Sequence, residues 1–304
     1  MIAVAAVSAF LFAYHYRLWL RAVGQPGGPL EQSIDPIIDG TAAAPFQYRF
    51  LVPHVIDWMR DAGGLSTYEA TLILDLVCIA AGAVLGIKVM QRAGRGWALG
   101  AAAGLLGLLA IGAAWFPKPE TYPSYAVYAA ATLAFVADRR WPIVALALPL
   151  CFMRTDLVLC LGLTMLGAAW AARSRRDAAF GAGLVALSGV ATIALMLAFD
   201  TSYDGDVFQL DFNRRPEVVL VGIGLLAVPL APVILGGGWS LVRSERGRRG
   251  AALVAPLLAL FAVTVVIARL DEVRIFLPLV WSTALGSVLL WEAALADTEG
   301  NPRP

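Results

Sequence analysis

Four stretches of the chain, Trp97–Phe116, Ala178–Phe199, Val218–Leu235 and Gly250–Ala268, each run for at least 18 residues without a charged side chain. A helix of about 20 apolar residues spans the ~30 Å hydrocarbon core of a bilayer, and a water-soluble fold has no room to bury several of them. Composition agrees: 60% of the 304 residues are hydrophobic and only 15% are charged, against roughly 25% charged in soluble domains. An all-α polytopic membrane protein is therefore expected, with the lipid bilayer as its first partner. A net charge of +1 and the lack of a long basic run argue against nucleic acid. Cys78, Cys151 and Cys160 lie inside apolar runs with no CxxC and no His/Cys cluster, so they read as small hydrophobes rather than metal ligands or disulfide partners.

About ten spans can be placed, some of them short or re-entrant: 2–21, 67–90, 97–116, 122–137, 141–153, 157–172, 178–199, 218–240, 250–268 and 274–294. The first reads as a retained helix, because it has no basic leader and no small-x-small cleavage site. The organisation expected is one transmembrane domain, 1–296, followed by a short tail, 297–304. The first loop, 22–66, contains an amphipathic piece from Pro45 to about Asp61. There Phe50, Leu51, His54, Val55 and Trp58 recur at helical spacing, as in a helix lying on the membrane surface.

Charge sets the orientation. Lys88/Arg92/Arg95, Arg139/Arg140, Arg173/Arg175/Arg176 and Arg243/Arg246/Arg248/Arg249 alternate with the spans and, with Arg303, hold more than half of the 23 basic residues. The positive-inside rule makes these loops and both termini cytoplasmic. Only 32 residues, Trp141–Ala172, separate two of the basic clusters, whereas two full crossings need about 40. A short hairpin satisfies both constraints, with arms of about 13 and 16 residues reaching roughly 20–24 Å and a turn at Arg154-Thr155-Asp156. Charged backbone at that depth needs protein or water around it.

Polar residues gather on the other face: Asp35 and Asp39, spaced i, i+4; Tyr48 and Arg49; Lys118 and Glu120; Arg154 and Asp156; Glu272 and Arg274. Arg49-Phe50-Leu51-Val52-Pro53 and Arg274-Ile275-Phe276-Leu277-Pro278 each place an arginine before an apolar triplet and a proline, the form of a helix start with a cation at its mouth. Arginine and lysine hold phosphate oxygens, and a carboxylate can take a proton from a hydroxyl. Such a set suits a lipid-linked phosphate substrate whose tail lies between helices. Each pair also has a structural reading: Asp35 and Asp39 as helix caps, Arg154/Asp156 and Glu272/Arg274 as ion pairs. Asp75, about two turns into the second span, should face the bundle interior. His15 and His54 read as interfacial, the 200–217 loop as solvated, and Gly100, Gly104, Gly107 and Gly112 as a close-packing seam.

Asp35-x3-Asp39, Pro45–Pro53, Met153–Asp156 and Glu272–Pro278 together resemble the sparse motifs of small bacterial relatives of the GT-C membrane glycosyltransferases. The resemblance implies a GT-C-like multi-helix core in the bacterial cytoplasmic membrane, with its active face extracytoplasmic. It implies a polyprenyl-phosphate-linked sugar as donor and Asp35 or Asp39 as the catalytic acid. Tyr48, Arg49, Lys118, Glu120, Arg154, Asp156, Glu272 and Arg274 would surround donor and acceptor. No metal site is read from the residues, although the family allows a divalent cation. There is no adjacent Asp-Asp pair in the first loop and no large soluble C-terminal domain. Two other classes compete: a transporter or flippase for a lipid-linked or anionic solute, and a non-catalytic membrane subunit of an envelope-glycan complex. A transporter needs polar residues along a path to both sides, and the inner halves of these helices are almost bare of charge.

Overall fold

The computed structural model describes residues 28, 30–42, 48–95, 118–199, 213–235, 238–267 and 273–298. Among them there is no strand. The helices are α1 (Glu31–Ile38), α2 (Leu51–Gly63), α3 (Thr67–Arg92), α4 (Thr121–Val136), α5 (Arg140–Met153), α6 (Thr155–Ala172), α7 (Arg175–Phe199), α8 (Pro216–Leu235), α9 (Glu245–Ile267) and α10 (Val280–Thr298). Two 3₁₀ helices, Gly238–Arg243 and Val273–Leu279, precede α9 and α10.

Five of the described helices are long and apolar enough to cross a membrane, or six if α8 counts as one span across a 70° bend before Pro229. Proline at that point removes a backbone donor and crowds the preceding turn. The expected spans 2–21 and 97–116 lie outside the described residues, as does the glycine seam at 100–112. Expected spans 122–137 and 141–153 form helices of 16 and 14 residues.

Local sequence explains the boundaries. Gly64, at φ 62°, ends α2 in the left-handed region. Two residues later Ser66 and Glu69 form a capping box that starts α3: the Glu69 amide donates to the Ser66 hydroxyl at 3.2 Å, and the Ser66 amide donates to the Glu69 carboxylate at 2.9 Å. Helix α2 begins six residues later than Pro45, at Leu51. It buries Val52, Pro53 and Ile56 against the protein and leaves Trp58 and His54 exposed. The apolar set at His54, Val55 and Trp58 therefore faces away from the bundle, the side a surface helix gives to lipid. Pro53 sits in the first turn of α2, where no hydrogen bond is lost. Pro278 instead ends a 3₁₀ segment before α10.

The core is built round α4 and α10. In its 18-residue apolar window the span Ile275–Ala296, most of it α10, is 78% buried, whereas α7, at 17%, is peripheral. Trp281 is fully buried and its indole N–H donates to the Tyr125 hydroxyl at 3.0 Å. Gly82 and Gly86, one turn apart on α3, make room for that pair; a Cβ on either would overlap the Tyr125 or Trp281 ring. Similar seams join α6 to α7, where a Cβ at Gly162 would lie 2.7 Å from Val185, and α9 to α10, where one at Gly250 would lie 2.8 Å from the Gly286 carbonyl. Small residues at such crossings let backbones approach, the main route to packing in hydrocarbon. Cys151 and Cys160 are buried and all three cysteines are free thiols.

Candidate functional site

The turn between α5 and α6 decides the geometry of one end of the molecule. Helix α5 stops at Met153, Arg154 takes an extended conformation (φ −159°, ψ 93°), and α6 restarts at Thr155. Arg140, at the start of α5, pairs with Asp177, at the start of α7. The two arms therefore return to the same end. Near the break the Ser188 hydroxyl on α7 donates to the Thr155 carbonyl at 2.8 Å, which ties α7 to the start of α6.

Arg154 is buried, and its guanidinium is almost fully committed. Its Nε donates to Asp156 Oδ1 at 3.2 Å, its Nη2 pairs with the other carboxylate oxygen, and its Nη1 donates to the Ile275 carbonyl at 2.9 Å. This side-on, two-point grip fixes the carboxylate plane. It also ties the hairpin turn to the 3₁₀ segment before α10. Asp156 keeps about a third of its side chain exposed (35%). Arg49, just before α2, donates from Nη1 to Glu120 Oε1 at 2.5 Å. It also lies within electrostatic reach of Asp156. Glu120 is buried at the N-terminal end of α4, where its own carbonyl accepts from the Ser124 hydroxyl at 2.5 Å. Lys118, two residues before, is half-buried.

Four segments far apart in sequence thus meet: Arg49, Glu120, Arg154/Asp156 and the Ile275 backbone. Beside them the Phe50 ring lies 5.3 Å from Phe152 and 5.7 Å from Phe199, and Tyr48 lies 6.4 Å from Phe199. Among the described residues, the contacts of this cluster pair two arginines with two carboxylates. The ion-pair reading of Arg154/Asp156 is the observed one.

Asp35 and Asp39 stand elsewhere. Asp35 lies in α1, a short helix with Pro36 inside it, and Asp39 is its C-terminal cap. Asp35 accepts from Arg60 of α2 at 3.1 Å, and Arg60 also lies 3.8 Å from Asp57. No hydrogen bond or ion pair among the described residues joins Asp35 or Asp39 to the four-segment cluster. Glu272 lies outside the described residues, and Arg274 is described only as backbone of the 3₁₀ segment. Asp75 is buried on α3, in electrostatic contact with Tyr122 of α4, as its position in the span requires. No group of three His, Cys, Asp or Glu side chains with metal-binding geometry occurs among the described residues.

The opposite end of the bundle holds a cleft of about 870 Å³. Three of the four basic clusters supply arginines to it: Arg92 and Arg95 from the end of α3, Arg139 and Arg140 at the start of α5, and Arg246 and Arg249 in α9; the turn into α7 contributes Ser174 and Asp177. Ion pairs stitch its walls. Arg95 pairs with Glu292 of α10, which also lies 3.6 Å from Arg246; Arg140 bridges Asp138 and Asp177; Arg249 pairs with Glu245 at 2.8 Å.

No family model matches the chain, and no curated protein or solved structure matches it either. Function has to be argued from the two polar ends themselves.

Proposed function

We propose that the chain is a membrane glycosyltransferase of the GT-C kind. It would transfer a sugar from a polyprenyl-phosphate donor to an acceptor hydroxyl at the extracytoplasmic face of a bacterial cytoplasmic membrane. What supports the reading is that Arg49, Arg154 with Asp156, and the Ile275 carbonyl, from three of the sequence regions that carry the family resemblance, meet at one end of the bundle with Glu120 beside them. In this scheme Asp156, held by Arg154, orients sugar or acceptor hydroxyls with its exposed edge. Arg49 and Lys118 face the donor phosphate, with Tyr48, Glu272 and Arg274 completing the surround. Asp35 or Asp39 takes the acceptor proton as the new glycosidic bond forms, and the C1–O bond breaks with its electrons leaving on the polyprenyl phosphate.

The test is transfer of labelled hexose or pentose from polyprenyl phosphate by the full-length protein in proteoliposomes. Asp35→Asn or Asp39→Asn should abolish transfer while thermal unfolding is unchanged. Full transfer in both single variants and in the double removes the acids of the first loop from the mechanism.

A second reading, transport of an anionic solute, is favoured by the cleft at the basic end. Phe135, Ile143, Met165 and Leu253 line both the cleft and a small interior void that Tyr128, Thr132, Thr164 and Ser282 also border. Thr132 and Thr164 donate to carbonyls one turn back in their own helices, at 2.9 and 3.0 Å, so these hydroxyls are satisfied without a solute. Flux of an anion in proteoliposomes, with no transfer from any polyprenyl-phosphate sugar, would replace the first reading with this one.

A further inference from the structure

The cleft at the basic end carries more positive charge than its own walls neutralise. Six arginines line it, against the carboxylates of Asp138, Asp177 and Glu245 and the Glu292 carboxylate clamped behind. Four of the arginines, Arg95, Arg140, Arg246 and Arg249, have carboxylate partners. The other two, Arg92 and Arg139, have no ion-pair partner among the described residues, and both are exposed at the cleft. The surplus charge is therefore localised on two side chains, one at the end of α3 and one before α5.

Beneath the arginines the lining changes character. Phe135, Ile143, Met165, Leu253 and Leu285 form an apolar floor. A volume of about 870 Å³ is in the range of sites for small organic ligands, roughly 300–1,000 Å³. The walls are held by ion pairs between helices, so the opening is set by the fold rather than by mobile side chains. The two non-glycine residues of positive φ among the described residues, Asp138 (φ 58°) and Arg173 (φ 52°), both lie in turns at this end.

Arginine without a carboxylate, above an apolar floor, is the chemistry of phosphate on an amphiphile. We propose that this cleft binds a phosphate-bearing amphiphile, its phosphate held by Arg92 and Arg139 and its apolar part laid on the Phe135–Leu253 floor. Basic pockets between helices at a membrane face take anionic lipid headgroups by the same forces. A soluble phosphate compound presents the same group. Binding here is independent of whether the Arg154 end transfers sugar, and it can be measured with neither donor nor acceptor present.

The experiment uses the full-length protein in nanodiscs of phosphatidylcholine. In one arm phosphatidylglycerol or cardiolipin is introduced, and retained lipid is counted by native mass spectrometry; in the other, inorganic pyrophosphate is titrated from solution. Arg92→Gln with Arg139→Gln is the test variant, and Arg175→Gln with Arg243→Gln is the control, since that pair is basic, exposed and outside the cleft. The expected loss is about tenfold for each cleft arginine removed, with the control near wild type. Selective loss of the anionic lipid identifies a lipid headgroup; selective loss of pyrophosphate identifies a soluble phosphate. No binding by the wild type in either arm, equal binding by the test variant, or equal loss in the control overturns the proposal, the last because it would mark diffuse attraction to a basic surface.

Discussion

At the Arg154 end, two arginines meet two carboxylates in a small, half-dry cluster whose hydrogen bonds join the hairpin turn to the segment before α10. At the Arg92 end, six arginines surround an open cleft and two of them carry unmatched charge. The residue type is the same and the surroundings differ. A buried guanidinium must satisfy its N–H groups within the protein, so it becomes a clamp. An exposed one in a cleft keeps its charge available to whatever enters. Arginine at a membrane protein's polar end is thus structural or receptive according to whether a carboxylate of the chain reaches it first.

Arg154→Ala is the strongest way to break this contrast. It would leave the Ile275 carbonyl without its donor and Asp156 without its two-point partner. Removing one member of a buried ion pair costs 3–5 kcal/mol; with Asp156 partly exposed, a loss of about 3 kcal/mol is expected. Thermal unfolding in neutral detergent would report it. A midpoint equal to wild type would mean that the cluster holds nothing together, and the distinction between clamp and open charge would fail. Arg154→Lys should recover only part of the loss, since an ammonium cannot make the side-on pair.

The packing between the two ends comes next. Gly86→Ala sets a methyl group into the space of the Trp281 ring. Overpacking of this kind costs roughly 1–3 kcal/mol, and it should shift Trp281 away from the Tyr125 hydroxyl. Gly183 is the comparison: a Cβ there meets nothing within 4 Å, so Gly183→Ala should be neutral or stabilise α7 by up to about 1 kcal/mol. If the two variants unfold alike, the glycines on α3 do not set the position of α10.

Different parts of this picture were legible in the sequence for different reasons. The hairpin break at Arg154 followed from counting 32 residues between two basic clusters, because length against bilayer thickness is a hard constraint. The alternation of basic loops likewise foretold that Arg92, Arg139, Asp177 and Arg246 would share one end. Pairings across long separations left no local mark: nothing in the sequence couples Arg49 to Glu120, 71 residues away, or Asp35 to Arg60. Helix α1 is not legible in the sequence, because eight residues with Pro36 inside carry too short a period. The cleft leaves no mark in the sequence, because arginines in loops signal only orientation there, and the apolar floor beneath them comes from helices whose relative placement depends on glycine–aromatic fits.

The smallest expected effect is also the sharpest side of the contrast. Arg92→Gln with Arg139→Gln removes two positive charges with no carboxylate partner among the described residues, so nothing buried is left unsatisfied. Arg92 in the last turn of α3 contributes a favourable interaction with the helix dipole, worth a few tenths of a kcal/mol when exposed. Removing charge from a surplus of like sign returns a similar amount. The two terms nearly cancel, and the unfolding midpoint in neutral detergent should move by no more than about 0.5 kcal/mol in equivalent stability. A large loss would show that these arginines brace the helix ends as Arg154 braces its turn. An unchanged midpoint, set beside the loss expected for Arg154→Ala, would separate charge that holds the fold from charge that the fold holds open.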